Sequence, residues 1–357
     1  MAYTTIDDPS AHFQVDKYTA DTTSDTVTFD GNSNLKPDLI WVKSIDTAYN
    51  AQFHDSSRGA TAGAIYTNLS DAEDSTYHVD NFLTDGYIND SVNTAIHANG
   101  ETIMSYGWKA NGGTTTSATT TGGIASATRQ VDTTSKFAII GYTSASSQAA
   151  GTIEHGLGVA PEFMIVKRRP QTDNWAVYHH KNTSAPETEL LSLNTNNATT
   201  DHAGPWNDTA PTSSVFTLGA LSDVNEGSGV TYIAYLWAGV QGYSKFGHFT
   251  GNGVINGQFV YTGFKPAWIL IKEANSTTSW GYWDHKRILY NPNNSVLLAN
   301  TAAVPYTGSS YAVDFLSNGF KMRTNDGAWN GSDDTYIYAA WAEEPLVTSG
   351  GVPATAR

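Results

Sequence analysis

The chain has 357 residues with no cysteine, 15% charged residues, 12% aromatic residues and a formal net charge of −15. Without a thiol there is no disulfide framework, no thiolate metal site and no cysteine nucleophile, so stability has to come from packing. The 19 Lys plus Arg are scattered among 34 Asp plus Glu and form no basic stripe, which argues against nucleic-acid binding.

No run approaches membrane-spanning length, and MAYTTIDDPSAHF lacks the basic and apolar regions of a secretory signal. The expectation is a soluble protein made in a cytoplasm, with no membrane insertion. The length is too great for one small core and suggests two or three domains. Abundant Thr, Ser, Asn, Gly, Trp and Tyr, with no long helical apolar period, point to an all-β chain rich in turns.

Residues 1–11 stand outside an internal repeat that governs the rest. Its anchor is an apolar run introduced by proline: KPDLIWVK at 36–43, APEFMIVK at 160–167 and KPAWILIK at 265–272. Lys43, Lys167 and Lys272 each lie six places after Pro37, Pro161 and Pro266. Proline cannot sit mid-ladder and suits the start of a strand. Four apolar residues in a row put side chains on both faces, as in an inner strand of a two-layer β fold. The lysine reads as a snorkelling residue at the strand's exit.

Upstream of each proline strand, Tyr18-Thr19, Tyr142-Thr143 and Phe249-Thr250 lead into turns. Downstream come aromatic strands, AQFHDSSR, NWAVYHHK and SWGYWDHKR, with Asp55, His179 and Asp284 each twelve places after the lysine. A closing strand follows, TIMSYGWK, TYIAYLWA and TYIYAAWA, with Trp108, Trp237 and Trp341 in register. The spacing predicts three tandem antiparallel β-sandwich modules, jelly-roll or concanavalin-like, at 12–112, 136–241 and 242–347. Trp41, Trp108, Trp237, Trp268 and Trp341 are the expected core markers. Between the first two modules, residues 113–135 are rich in Thr, Gly and Ser, almost free of large apolar side chains, and read as a linker. The ends, residues 1–11 and the tail 348–357, are expected to dock onto a neighbouring subunit, with Phe13, Pro353 and Arg357 as assembly candidates.

The candidate chemistry is sparse. Adjacent pairs His54-Asp55, His179-His180 and Asp284-His285 point to opposite strand faces and cannot share one ion without a bulge. The loop NDGAWNGSDD at 325–334 is rich in oxygen, and Asp326, Asp333 and Asp334 are weak calcium candidates, although Asn-Gly and Asp-Gly also simply form turns. Glu343-Glu344 is the only adjacent glutamate pair, and a glycan-cutting enzyme needs two carboxylates roughly 5 to 10 Å apart. Solvated charge ending a strand before Pro345 explains it equally. No GxSxG, HExxH, P-loop or dinucleotide fingerprint is present, so neither an enzyme nor a cofactor is expected. Trp206 and Trp329, in loops outside the repeated framework, are the candidate contacts for glycan or receptor.

Several stretches carry a resemblance over essentially the whole chain: MAYTTIDDPSAHFQ, TFDGNSNLKPDLIWVK, NDTAPTSSVFTLG, GYSKFGHFTGNG, FLSNGFKMR and VTSGGVPATAR. They resemble a family of virion proteins from phages of marine bacteria, labelled structural or tail-fibre-like. The modules are also similar to concanavalin-like or SPRY-like sandwiches. The first module departs from the others, reading YINDSVNTAIHANGE where they read TLG or KMR. The resemblance implies a non-enzymatic component of the virion surface, foremost a tail fibre or tail-associated adhesion and receptor-binding protein. Capsid decoration or a head fibre is the alternative, and a glycan depolymerase ranks lower. Its partners would be other virion proteins, a host surface glycan or protein, and further copies of itself. A trimer is favoured, with a monomer whose three modules mimic a three-fold ring as the other option.

Overall fold

Four large apolar residues in succession oblige a strand to be covered on both faces, and the three proline strands are. In the computed structural model, which describes residues 3–21 and 26–355, they run Leu39–Ser44, Phe163–Arg168 and Phe264–Glu273. Every residue of all three is buried. The protein is all-β, with several antiparallel sheets.

Three large sheets share one strand order, in which an edge strand is followed by the closing, proline, aromatic and outer strands. Phe13–Thr19 and Ser244–Thr250 are true sheet edges, and their counterpart Phe137–Ser144 carries further strands on its outer side. The closing strands are Thr102–Trp108, Thr231–Trp237 and Thr335–Pro345. The closing strand pairs antiparallel on both sides, so its side chains have little freedom to lean away from the core. A smaller sheet covers the outer face of each large one. Its strands are Thr26–Val27, Val79–Phe82 and Tyr87–Asn89 in the first unit, and Gly151–Glu154 with Val215–Leu218 in the second. Phe259–Tyr261, Val313–Leu316 and Gly319–Met322 form it in the third. Between large and small sheets lie three separate apolar cores, around Ile40 and Tyr87, Ile140 and Phe216, and Ile271 and Phe320.

The inner faces meet in a fourth core common to all three units. At its centre the closing-strand tryptophans form a triangle: Trp108 to Trp237 at 6.0 Å, Trp237 to Trp341 at 5.9 Å and Trp108 to Trp341 at 5.4 Å, each edge to face. Trp41 and Trp268 join it at 5.7 Å from one another. The three sandwiches therefore close into a ring around a shared axis rather than lying along the chain as separate bodies. All five expected core markers, Trp41, Trp108, Trp237, Trp268 and Trp341, are buried.

One expectation is corrected. Residues 113–135 are not a linker: Thr116–Ala118 and Ile124–Asp132 are strands, the second running along the whole strand Phe137–Ser144 of the second unit. A strand covered on one face needs few apolar residues, and Ile124, Ala127 and Val131 supply them, too thinly spread to register as a core sequence. The amino-terminal segment, expected to dock onto a neighbouring subunit, packs on its own chain. Tyr3 Oη donates to Gly263 O at 2.7 Å, Thr4 Oγ1 donates to Gln241 O at 2.8 Å, and Ile6 and Phe13 are buried in the shared core. This segment thereby ties the first unit to the third, and Asp7 accepts from the Ser349 backbone at 2.6 Å, holding the tail. Pro353 bridges back to Val347, and Arg357 lies outside the described residues.

A shared core makes the three units one cooperative body. Calorimetry is expected to show a single unfolding transition. Trp341→Ala should cost about 3–5 kcal/mol and lower that one transition as a whole. A resolved early transition of the third unit alone would contradict the shared core.

Candidate functional site

Polar residues buried between the units were the first candidates for chemistry, and they form a head-to-tail clasp. Tyr235 Oη of the second unit donates to Asp55 of the first at 2.8 Å, and Tyr106 Oη of the first donates to Asp284 of the third at 3.0 Å. The third unit has Ala339 at the place of these tyrosines, and the second has His179 at the place of the aspartates. There His179 Nε2 reaches Tyr338 O at 3.0 Å, so the cycle still closes. Arg58 and Arg287 pair with Asp55 and Asp284 three residues earlier, all four side chains being almost wholly buried. Burial alone would raise the Asp284 carboxyl, but Arg287 outweighs it and holds the group below the usual carboxylate range. Burial pushes His179 down to about 3 and drives Tyr106 and Tyr235 well up, so the imidazole is neutral and both phenols stay protonated. With every partner satisfied, these residues fix the ring.

The repeated lysines do not snorkel. Lys43, Lys167 and Lys272 are fully buried, and their ammonium groups donate to backbone carbonyls of the loops that follow. Lys167 Nζ reaches Ser70 O of the first unit at 3.1 Å and Asp173 O at 3.0 Å, and Lys272 Nζ reaches Ser276 O at 2.9 Å. Desolvation pushes all three down to about 8. The strand suggested a lysine reaching for water; the loop folding back over its tip was not visible there.

The units diverge at the rim where the proline strands begin. In each, the residue after the Asp or His of the aromatic strand donates its backbone N–H to the residue after the proline, at 2.9 Å: Ser56 to Asp38, His180 to Glu162 and His285 to Ala267. The side chains there differ. Ser56 bonds Asp38 at 2.6 Å and Gln130 fills the gap between the first and second units. Between the third and first units a cleft of about 240 Å³ stays open, lined among others by Gln14, Asp30, His285, Lys286, Glu343 and Glu344. Glu343 is held by His285 at 2.9 Å and Lys265 at 3.2 Å, and Lys286 spans the cleft mouth to Asp30 at 2.7 Å. Glu343 thus lies against the Lys265 ammonium and the His285 ring, and Glu344 faces solvent as the solvated end of the strand. Beside this cleft Asp16 is buried, and burial reinforced by Asp30 pushes its carboxyl up to about 6.

The candidate glycan contacts are not on the surface. Trp206 is buried, donates from Nε1 to Glu189 O at 2.8 Å and packs on Tyr178. Trp329 is buried against Trp283 at 5.1 Å and lies so close over Gly281 that a Cβ there would collide with its ring. Each is a plug beneath its own loop. The calcium candidates do not converge: Asp326 caps the short helix Gly327–Asn330 by accepting from Ala328 N at 3.0 Å, and Asp333 occupies a turn with φ of 66°. Among the described residues, the one group of three ligand types close enough to share an ion is His78, Asp80 and Asp90. Its sequence signal was the alternation His78-x-Asp80 at the start of a strand, with Asp90 brought up by the strand Tyr87–Asn89.

The chain belongs to the family described as Domain of unknown function (DUF7483), which matches residues 8–345. No curated protein and no solved structure matches it.

Two outcomes follow from the burial of charge. Between about 4, the value of an unfolded aspartate, and about 6 the folded chain binds more protons at Asp16 than the unfolded one. Its contribution to stability therefore falls as pH rises through that window. Asp16→Asn is expected to stabilise the protein above pH 7 by roughly 2–3 kcal/mol, with the gain vanishing near pH 4. Urea titrations at the two pH values check this. Second, acylation of amines near about pH 8.5 should leave Lys43, Lys167 and Lys272 unmodified in the folded protein and label them in urea. Peptide mass spectrometry reads the difference.

Proposed function

We propose that this protein is a non-enzymatic structural component of a bacteriophage particle, displayed on its surface as a monomeric three-part ring. The observation that carries the reading is the tryptophan triangle. It joins three repeats into one rigid body whose interior is filled by side chains, leaving function to the periphery. The resemblance of the opening, the proline strand and the tail to phage virion proteins supplies the setting. A single chain that already has three-fold form needs no further copies to complete its core, which favours the monomer as the assembling unit.

Capsid decoration or a head fibre now fits better than tail adhesion. The adhesion reading drew in part on aromatic loops, and their tryptophans Trp206 and Trp329 are buried. The depolymerase reading rested on Glu343 and Glu344, and Glu343 is held in an ion pair with Lys265. Immunogold labelling of intact particles tests the proposal. Label on the capsid is the expected result, label confined to the tail would return the protein to the tail, and no label would overturn the particle reading. Mass photometry of the isolated chain should show a monomer.

A further inference from the structure

The second unit contains a device that the third lacks. A sandwich has an open side wherever the edge of its large sheet and the edge of its small sheet both end without a partner. In the second unit that side is stitched shut by residues 119–132 of the chain itself. Their first half pairs with the small-sheet strand Gly151–Glu154: Thr121 N donates to Thr152 O at 3.0 Å and Glu154 N to Thr119 O at 2.9 Å. Their second half, Ile124–Asp132, pairs with the large-sheet strand Phe137–Ser144. Gly122 and Gly123 make the crossing between the two, where a Cβ would collide with the carbonyls of Ala150 and Ala149. Arg129 finishes the seam with an ion pair to Glu154 at 2.6 Å.

In the third unit the corresponding strands are Ser244–Thr250 and Phe259–Tyr261. Val260 pairs with Phe320 as Ile153 pairs with Phe216, so Phe259 and Tyr261 stand where Thr152 and Glu154 stand. Both strands end their sheets with no further strand among the described residues. Between them lies an open slot of about 500 Å³. Phe259 and Tyr261 are 38% and 46% exposed, and Val254 and Ile255 are exposed in the loop connecting the two edges. One end is capped: Lys245 Nζ donates to Tyr261 O at 2.7 Å, and His180 reaches Phe246 O at 2.8 Å. From Gly247 to Thr250 the large-sheet edge is free to pair. The lining includes Lys181, Lys245 and His248 and no carboxylate, on a chain whose net charge is −15.

We infer that this slot binds an extended, acidic, Ser/Thr- and Gly-rich strand of a partner polypeptide by β-augmentation, as residues 119–132 do within the second unit. Unpaired edge groups supply the main-chain bonds, and the exposed aromatics cover the incoming side chains. The cationic lining selects carboxylates where the internal strand carries Arg129, because in the third unit no Glu154 is there to receive an arginine. The slot would serve whether or not the protein belongs to a particle.

The test uses the full chain and a labelled synthetic peptide with the sequence of residues 119–132 carrying Arg129→Glu. Saturable binding by fluorescence anisotropy is expected, with slowed amide exchange confined to Ser244–Thr250 and Phe259–Tyr261. Lys245→Glu, at a partly exposed position where folding is checked by circular dichroism, should weaken it about tenfold or more. The unaltered peptide, with its arginine, should bind more weakly. No saturable binding, or binding without protection of those two strands, would overturn the inference. So would self-association of the protein abolished by Lys245→Glu, which assigns the slot to a second copy, or capture of a soluble glycan by Phe259 and Tyr261 without amide protection.

Discussion

Everything in this fold depends on three tryptophans meeting edge to face. Trp108, Trp237 and Trp341 stand at the same position of three closing strands, each held between two neighbours in its sheet, so their directions are set before they touch. Once they touch, every large sheet has its inner face buried against the other two, and no unit can leave without exposing the apolar surface of all three. Edge-to-face contacts at 5.4 to 6.0 Å suit rings whose faces are negative and rims positive, and three of them close into a cycle without a favoured member. The indole N–H groups of this triangle find no oxygen acceptor and lie among rings, which ties the geometry of the core to packing rather than to hydrogen bonding.

Around that centre the repeat is strict where burial enforces it and loose where water does not. Asn68, Asn194 and Asn300 each accept the backbone N–H that opens an aromatic strand, at 3.0 to 3.1 Å. The tyrosine–aspartate clasp appears twice, and in its third position both partners have changed together, alanine for tyrosine and histidine for aspartate, with a backbone carbonyl taking over as acceptor. A lone change there would have left a buried polar group without a partner, a cost of about 1–3 kcal/mol. At the rim and the outer edges no such penalty operates. One gap is filled by Gln130, another stays open as a cleft, and one sandwich side is stitched while its counterpart is bare.

That distinction also marks what could be read from residues alone. Proline strands, aromatic strands and closing strands were legible because a strand buried on both faces has to be written in large apolar side chains. The Thr-rich stretch was misread as a linker because a strand covered on one face needs only Ile124, Ala127 and Val131 there and leaves the rest free to be polar. Trp206 and Trp329 were misread as surface contacts because a loop aromatic is equally suited to plugging the core beneath it, and only the path of the loop separates the two. The His78, Asp80 and Asp90 group escaped notice because it forms only when the hairpin of Val79–Phe82 and Tyr87–Asn89 closes and brings its two ends together.

The sequence by itself determined the local elements and their three-fold recurrence, since period, proline placement and aromatic register act within a strand or between close neighbours. Only the tertiary structure decided that the three sandwiches share one core, that the lysines turn inward onto loop carbonyls, and which edges remain open. Those outcomes depend on contacts between residues as far apart as Tyr106 and Asp284 or Tyr235 and Asp55, whose complementarity exists only after the ring has closed.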